Sequence, residues 1–304
     1  MRVLLIAGGW SSEREVSLSG GEKIRSALTA LGHEVDFLDP LTSFADLPAR
    51  ARACDFAFIN LHGSPGEDGL IQAMLDRVGC PYQGAGPAGS FLALHKAASK
   101  VLFADSGIPT PAWALIPRNV PAVFPEALRL PVFVKPNMGG SSLGAGKVER
   151  IEDFGPACAA VFALGEEALV EELIPGEEVT CGVLDGEPLP LILIRPAAGA
   201  AFFDYAAKYT PQGAEEICPA PIPEDQTRRI QELAVAAHKA LGLRGYSRAD
   251  FIMHQGEPWL LEVNTLPGMT ATSLLPQSAA RVGLNFEALV ARLIELGLAV
   301  PGGE

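Results

Sequence analysis

Arg248-Ala-Asp250-Phe-Ile-Met-His-Gln-Gly256-Glu-Pro-Trp-Leu-Leu-Glu262-Val-Asn264 reads as two apolar strands, each carrying a carboxylate toward one place. Phe251–Met253 and Trp259–Val263 are β-prone runs joined around Gly256, and a three-residue loop centred on that glycine sets Asp250 opposite Glu262. Strand side chains alternate with period two, so Asn264 shares the face of Glu262. A one-residue slip would part Asp250 from both. Magnesium takes hard oxygens, commonly one or two carboxylates plus substrate phosphates. Two carboxylates and an amide therefore fit a nucleotide-bound metal. A surface hairpin with solvated acids is the plainer alternative. It does not explain apolar residues on both sides of the acids, or an asparagine leading straight into Thr265-Leu-Pro-Gly-Met-Thr270.

Around this hairpin the chain organises into α/β and α+β parts. Val3–Ala7 is a short apolar strand ending in Gly8-Gly9, followed by a helical pattern to Leu31 with Gly32 as its stop. Strands over Glu34–Leu38 and Asp55–Leu61 and a helix near residue 72 complete an N-terminal parallel α/β domain over 1–93. A helix over Leu94–Gly107, strands at Pro131–Lys135 and Leu169–Leu173, and a Gly/Ser loop over Met138–Gly146 define a central α+β domain over 94–178. Residues 179–304 form a C-terminal α+β domain with a polar aromatic stretch at 202–213, helices over Pro223–Leu241 and Phe286–Leu298, and the acidic hairpin.

Composition narrows the function classes. The chain has 304 residues, 48% hydrophobic and 19% charged, enough for two or three cores. Its net charge of −13 speaks against nonspecific binding to nucleic acid or an anionic membrane. No apolar run approaches the ~20 residues that span a bilayer, and the start lacks a signal-peptide pattern, so a cytoplasmic protein is expected. The five cysteines are scattered without Cys-x-x-Cys spacing, as expected of reduced thiols.

Several motifs carry chemistry. Gly8-Gly9-Trp-Ser-Ser-Glu-Arg-Glu15 follows a strand and opens a helix, where backbone N–H groups can hold an anion. It lacks dinucleotide spacing, and Glu15 reads equally as an ordinary helix N-terminal charge. Asn60-Leu-His62-Gly-Ser-Pro-Gly-Glu-Asp-Gly lies at the carboxyl edge of a strand, either as a ligand loop or as a turn with a satisfied histidine. Lys135-Pro-Asn-Met-Gly-Gly-Ser141-Ser-Leu-Gly144 sets a lysine at a strand end before a donor-rich loop of the kind that folds over nucleotide phosphates, without Walker spacing. Phe203-Asp-Tyr-Ala-Ala-Lys208-Tyr209 lacks a clear helix or strand period, as in an active-site lid, with an amphipathic edge strand as the plainer alternative.

Together, Ser-Glu-Arg-Glu15-Val-Ser, Leu-His62-Gly with Gly-Glu-Asp-Gly, Lys135-Pro-x-x-x-Gly-Ser141-Ser-x-Gly, Tyr-x-x-Lys208-Tyr209, Arg248-x-Asp250, Glu262-x-Asn264 and Pro-Gly268-Met-Thr resemble the D-alanine–D-alanine ligases of the ATP-grasp superfamily. The resemblance spans nearly the whole chain. It implies an ATP-grasp fold, ATP-dependent joining of two D-alanines for peptidoglycan synthesis, two magnesium or manganese ions, and a homodimer. By similarity Lys96 and Lys135 contact ATP phosphates, Glu171 and the backbone at Leu173 hold adenine, Glu178 holds the ribose and Lys208 the transferring phosphoryl group. Asp250, Glu262 and Asn264 bind the metals, and Arg248 with the Gly268 amide holds the oxyanion. Glu15 orients the ammonium of the first D-alanine and is linked through Ser141 to Tyr209, His62 binds substrate, and Ser273 and Leu274 receive the carboxylate of the second. Gly139, Phe203 and Ala206 depart from the common pattern at loop positions. A D-alanine–D-lactate ligase of the same fold is the alternative, which Tyr209 disfavours.

Overall fold

The continuous apolar run at the start becomes strand β1 (Arg2–Ala7), flanked in parallel by β2 (Glu34–Leu38) and β3 (Phe56–Asn60) in the order β2-β1-β3. The computed structural model describes residues 1–140, 144–196, 213–270 and 272–300. Helix α1 (Arg14–Ala30) buries Ser17, Gly20, Gly21, Ile24, Ala27 and Leu28, a three-to-four spacing that keeps one face on the sheet. The approach is close: a Cβ on Gly21 would come within 2.9 Å of the Ala7 Cβ. Gly32, at φ +81°, stops the helix as expected, its N–H bonding to Thr29 while that of His33 returns to the Leu28 carbonyl. Two short helices, α2 (Pro40–Ser43) and α3 (Leu47–Arg52), precede β3; α4 (Leu70–Val78), α5 (Pro87–Leu94) and α6 (Lys96–Asp105) follow it.

A four-stranded antiparallel sheet comes next, in the order β4-β7-β5-β6, from β4 (Trp113–Ile116), β5 (Val132–Pro136), β6 (Gly146–Val148) and β7 (Ala168–Glu172). Helix α7 (Phe154–Ala163) covers it. The third sheet holds β8 (Glu177–Leu184), β9 (Glu187–Pro188), β10 (Ile192–Pro196), β11 (Ala214–Ile217), β12 (Tyr246–His254) and β13 (Glu257–Asn264). Helix α8 (Glu224–Ala240) packs beneath it, and α9 (Leu274–Arg281) and α10 (Phe286–Leu298) complete the described chain.

The cores share out the chain differently from cuts at residues 93 and 178. Ala93 of α5 and Phe103 of α6 join the third sheet's core, with Val179, Ile230 and Phe251. Leu289, Val290, Leu293 and Ile294 of α10 join the N-terminal core instead. Each buried side chain of this size contributes about 1.5–3 kcal/mol, so these helices side with whatever covers their apolar faces, not with their neighbours in sequence.

The acidic hairpin closes by a two-residue turn in place of the three-residue loop. Gln255 and Gly256 both take positive φ, 52° and 86°, which is the signature of a type I′ turn. That turn pairs His254 with Glu257 and, further on, Phe251 with Leu260; a bulge then intervenes, beyond which Asp250 pairs with Glu262 and Arg248 with Asn264. In a regular register without the bulge, Asp250 would lie opposite Leu261. The juxtaposition of the two acids holds, through a bulge that the amino-acid pattern does not announce.

Candidate active site

A cleft of about 470 Å³ opens between the four-stranded and six-stranded sheets, within the roughly 300–1,000 Å³ typical of small-molecule sites. Lys96, Lys135, Glu171, Leu173, Glu178, Asp250 and Glu262 all line it. Residues separated by more than 160 positions in the chain thus meet at one place.

At one end the antiparallel register of β5 and β7 places Glu171 opposite Phe133 and diagonal to Lys135, on one face of the sheet. Lys135 Nζ lies 2.6 Å from Glu171 Oε2. From behind, Lys100 Nζ lies 2.5 Å from Glu171 Oε1. Burial alone would raise the Glu171 carboxyl, but the two lysines outweigh it and hold its pKa below the usual range. Lys135 is pulled down by burial and raised on balance by Glu171 and Glu262. For Lys100 burial prevails, and its pKa is lowered. Lys100 is absent from the sequence-derived site. Its signal was the Lys96-x-x-x-Lys100 spacing, which sets both amines on one helical face. The Leu173 amide is already committed to the Pro131 carbonyl at 3.0 Å, so it offers no free donor to a base; the adjoining Ile174 lines the same cleft.

At the hairpin end Asp250 accepts two parallel bonds from Arg248, Nε to Oδ1 at 2.9 Å and Nη2 to Oδ2 at 2.7 Å. Thr180 Oγ1 donates to Oδ1 at 2.6 Å, and Asn264 Nδ2 to Oδ2 at 3.0 Å. Burial lowers the Arg248 pKa, but Asp250, Glu262 and Glu178 reverse the effect and leave it raised. Lys96 Nζ lies 3.4 Å from Glu262 Oε2 and donates to the Gly139 carbonyl at 2.6 Å, tying the hairpin to the Gly/Ser loop. Among the described residues no three His, Cys, Asp or Glu gather into a metal cage. Asp250, Glu262 and the Asn264 amide oxygen instead offer part of a hard-oxygen shell, which suits magnesium completed by phosphate oxygens.

The N-terminal loops supply the third side, and here the structure corrects the sequence reading. Glu15 is exposed on the outer face of α1, whereas Glu13, two residues earlier, is buried. Two residues on a helix turn about 200°, so only one of the pair can face inward. Glu13 shares its face with Ser17, Gly20 and Ile24. A Cβ on Gly140 would lie 2.8 Å from Glu13 Oε2, so the acid lies against the Gly/Ser loop. The Gly8 and Gly9 amides are not available to an external anion, because they donate to Ser17 Oγ at 2.8 Å and Asp39 Oδ1 at 3.0 Å.

His62 is buried and lies near the Leu266 backbone, Glu13 and Arg248; burial lowers its pKa. Glu67, which accepts the Gly63 N–H at 2.6 Å, is pushed up to about 8 by burial and then by the Glu13 charge. Sequence reasoning placed it only within Gly-Glu-Asp-Gly and gave it no role. Ser273 occupies the N-cap position of α9, but its Oγ accepts the N–H of the preceding Thr270 at 3.0 Å and does not cap the helix; Leu274 opens that helix. A Cβ on Gly268 would approach Ser273 Oγ to 2.9 Å, so glycine is what fits there. Ser141, Lys208 and Tyr209, with Phe203 and Ala206, lie outside the described residues.

Comparison with known proteins agrees with this arrangement. The family described as D-ala D-ala ligase C-terminus matches residues 102–295. A D-alanine–D-alanine ligase of Nitratidesulfovibrio vulgaris is 61% identical over 303 residues, covering 99% of this chain and 100% of that protein. One from Maridesulfovibrio salexigens is 59% identical over 297 residues, 98% of each. The crystal structure of D-alanine–D-alanine ligase from Bacillus anthracis complexed with ATP superposes with a TM-score of 0.88 at 35% identity, covering 98% of this chain and 97% of that one. The shared architecture is the ATP-grasp fold, with a parallel α/β sheet followed by two antiparallel α+β parts. By sequence and by fold alike, the chain belongs to the D-alanine–D-alanine ligase family.

Proposed function

We propose that this enzyme joins two D-alanines into D-alanyl-D-alanine at the expense of ATP, supplying a precursor for peptidoglycan in the cytoplasm, as a homodimer. The observation that carries the reading is the convergence of Lys96, Lys135, Glu171, Asp250 and Glu262 on one nucleotide-sized cleft. A carboxylate is a poor acyl donor, so a carboxylate oxygen of the first D-alanine attacks the γ-phosphorus of ATP and ADP leaves. The amine of the second D-alanine then attacks the acyl carbon of this acylphosphate. It loses a proton, and inorganic phosphate departs.

Positioning and charge neutralisation dominate such a transfer. Lys96 and Lys135 exchange their acidic partners for phosphate oxygens, and Lys208 assists from the lid stretch. Glu178 holds the ribose, and Glu171 with the backbone near Leu173 and Ile174 holds adenine. Magnesium or manganese on Asp250, Glu262 and Asn264 would supply phosphate charge neutralisation when bound. Arg248 spends Nε and Nη2 on Asp250, which leaves Nη1 to meet the oxyanion beside the Gly268 amide. Glu13 takes the place first given to Glu15, orienting the ammonium of the first D-alanine together with Ser141 and Tyr209. His62, Ser273 and Leu274 border the second substrate. Phosphate release from ATP with D-alanine, set against D-alanine plus D-lactate with the products resolved by mass, tests the reading. Dipeptide is expected throughout; depsipeptide as main product would assign the acceptor to D-lactate, and no phosphate release would refute a ligase.

A further inference from the structure

Among the described residues, Lys100 is the cation beside Glu171 that does not line the cleft. Its side chain is 0% exposed, and it lies behind Glu171, whose carboxylate does line the cleft. Removing an ammonium from water costs several kcal/mol unless it is paired and hydrogen-bonded. Here it is both: it is ion-paired with Glu171 Oε1, and its Nζ donates to Thr110 Oγ1 at 2.5 Å, while that hydroxyl donates to the Leu260 carbonyl on β13 at 2.8 Å. The chain Leu260–Thr110–Lys100–Glu171 thus fastens the carboxylate of the four-stranded sheet to the six-stranded one.

Glu171 therefore has two cations where one would neutralise it, and the two differ in what they can reach. Lys135 lines the cleft and can turn toward an anionic ligand. Lys100, fully enclosed, cannot. When phosphates draw Lys135 away from Oε2, Lys100 still holds Oε1, so the carboxylate stays charged and oriented with one oxygen released into the cleft. A carboxylate offers acceptors only. It welcomes the amino group of a 6-aminopurine and repels the carbonyl of a 6-oxopurine.

We infer that Lys100 is a positioning residue that sets nucleotide choice, anchoring Glu171 from behind so that its freed oxygen selects 6-aminopurine over 6-oxopurine nucleoside triphosphates. This rests on the reading of the cleft as an ATP site with Glu171 at the base. The test compares kcat/KM for ATP and for inosine triphosphate in the full-length enzyme and in Lys100→Met, Thr110→Val and Glu171→Gln. A ratio between two nucleotides measured in one preparation is insensitive to the fraction folded, which a merely structural role would change. Lys100→Met is expected to lower the ATP-to-ITP preference about tenfold or more, through a higher KM for ATP, with kcat changed less than about threefold. Thr110→Val, which removes one hydroxyl without changing volume much, moves the preference the same way by a smaller amount and decides the matter if Lys100→Met does not fold. An unchanged preference in Glu171→Gln would refute the base assignment itself. A changed preference there, with wild-type preference in Lys100→Met, or in Thr110→Val where Lys100→Met does not fold, would overturn the role of Lys100 alone.

Discussion

Two groups of buried or half-buried acids border the site, and they are kept in different ways. Asp250 and Glu262 come from paired strands and are each matched to a cation, Arg248 and Lys96. Glu13 and Glu67 come from a helix start and a loop, and burial together with the nearby Glu13 pushes the Glu67 carboxyl up to about 8. The first group is paired with protein cations that metal and phosphates can replace. The second keeps Glu67 protonated at neutral pH. Neutralisation by exchange and neutralisation by protonation are two solutions to the same desolvation problem.

The contrast breaks most sharply at Glu262. Glu262→Gln leaves the strand pairing intact but removes the charge opposite Asp250, and turnover should fall about a hundredfold or more. Near-normal turnover with unchanged circular dichroism would remove the hairpin from the chemistry. The next largest effect separates two neighbouring glutamates. Glu13→Gln is expected to cost about 2 kcal/mol, roughly thirtyfold in kcat/KM for D-alanine, while Glu15→Gln stays within about twofold. The reverse order would restore Glu15 to the site.

The smallest effect concerns stability in the second group. Glu67 binds a proton in the fold that the unfolded chain releases above its ordinary pKa of 4.5. The folded state therefore holds more protons between pH 4.5 and about 8, and stability declines as pH rises through that window. Glu67→Gln carries no such titration. Denaturant midpoints for the wild type should fall relative to the variant between those pH values and run parallel above them; parallel curves throughout would show that the acid is already ionised.

How far the site could be read from sequence followed the periodicity of each element. In the hairpin, period two fixed which side chains share a face, so Asp250, Glu262 and Asn264 were placed together without knowledge of the fold. At the start of α1 the motif resemblance singled out Glu15, which lies exposed. There the helical spacing of Ser17, Gly20 and Ile24 was the relevant guide, and it points back to Glu13. The first strand, the stop at Gly32 and the helix over Phe286–Leu298 were legible because apolar runs and glycines mark them locally. Glu67 was not, and Lys100 only through its spacing from Lys96, since what distinguishes both is burial by segments distant in sequence. The short helices α2, α3 and α5 carry too few turns for a pattern to declare itself.

The attachment of α10 to the first core has a bearing on how the chain is made. Gly297 sits so close to the N-terminal sheet that a Cβ there would lie 2.5 Å from the Tyr82 carbonyl and 2.7 Å from the Phe56 ring. A ribosome adding about 5–20 residues per second takes roughly 10–40 seconds to travel from Tyr82 to this helix. For that interval the apolar face which α10 covers has no native partner, although β1, β2 and β3 are already synthesised. The domain made first is thus among the last to be sealed, and its nascent form is where chaperone capture, or aggregation in its absence, should concentrate.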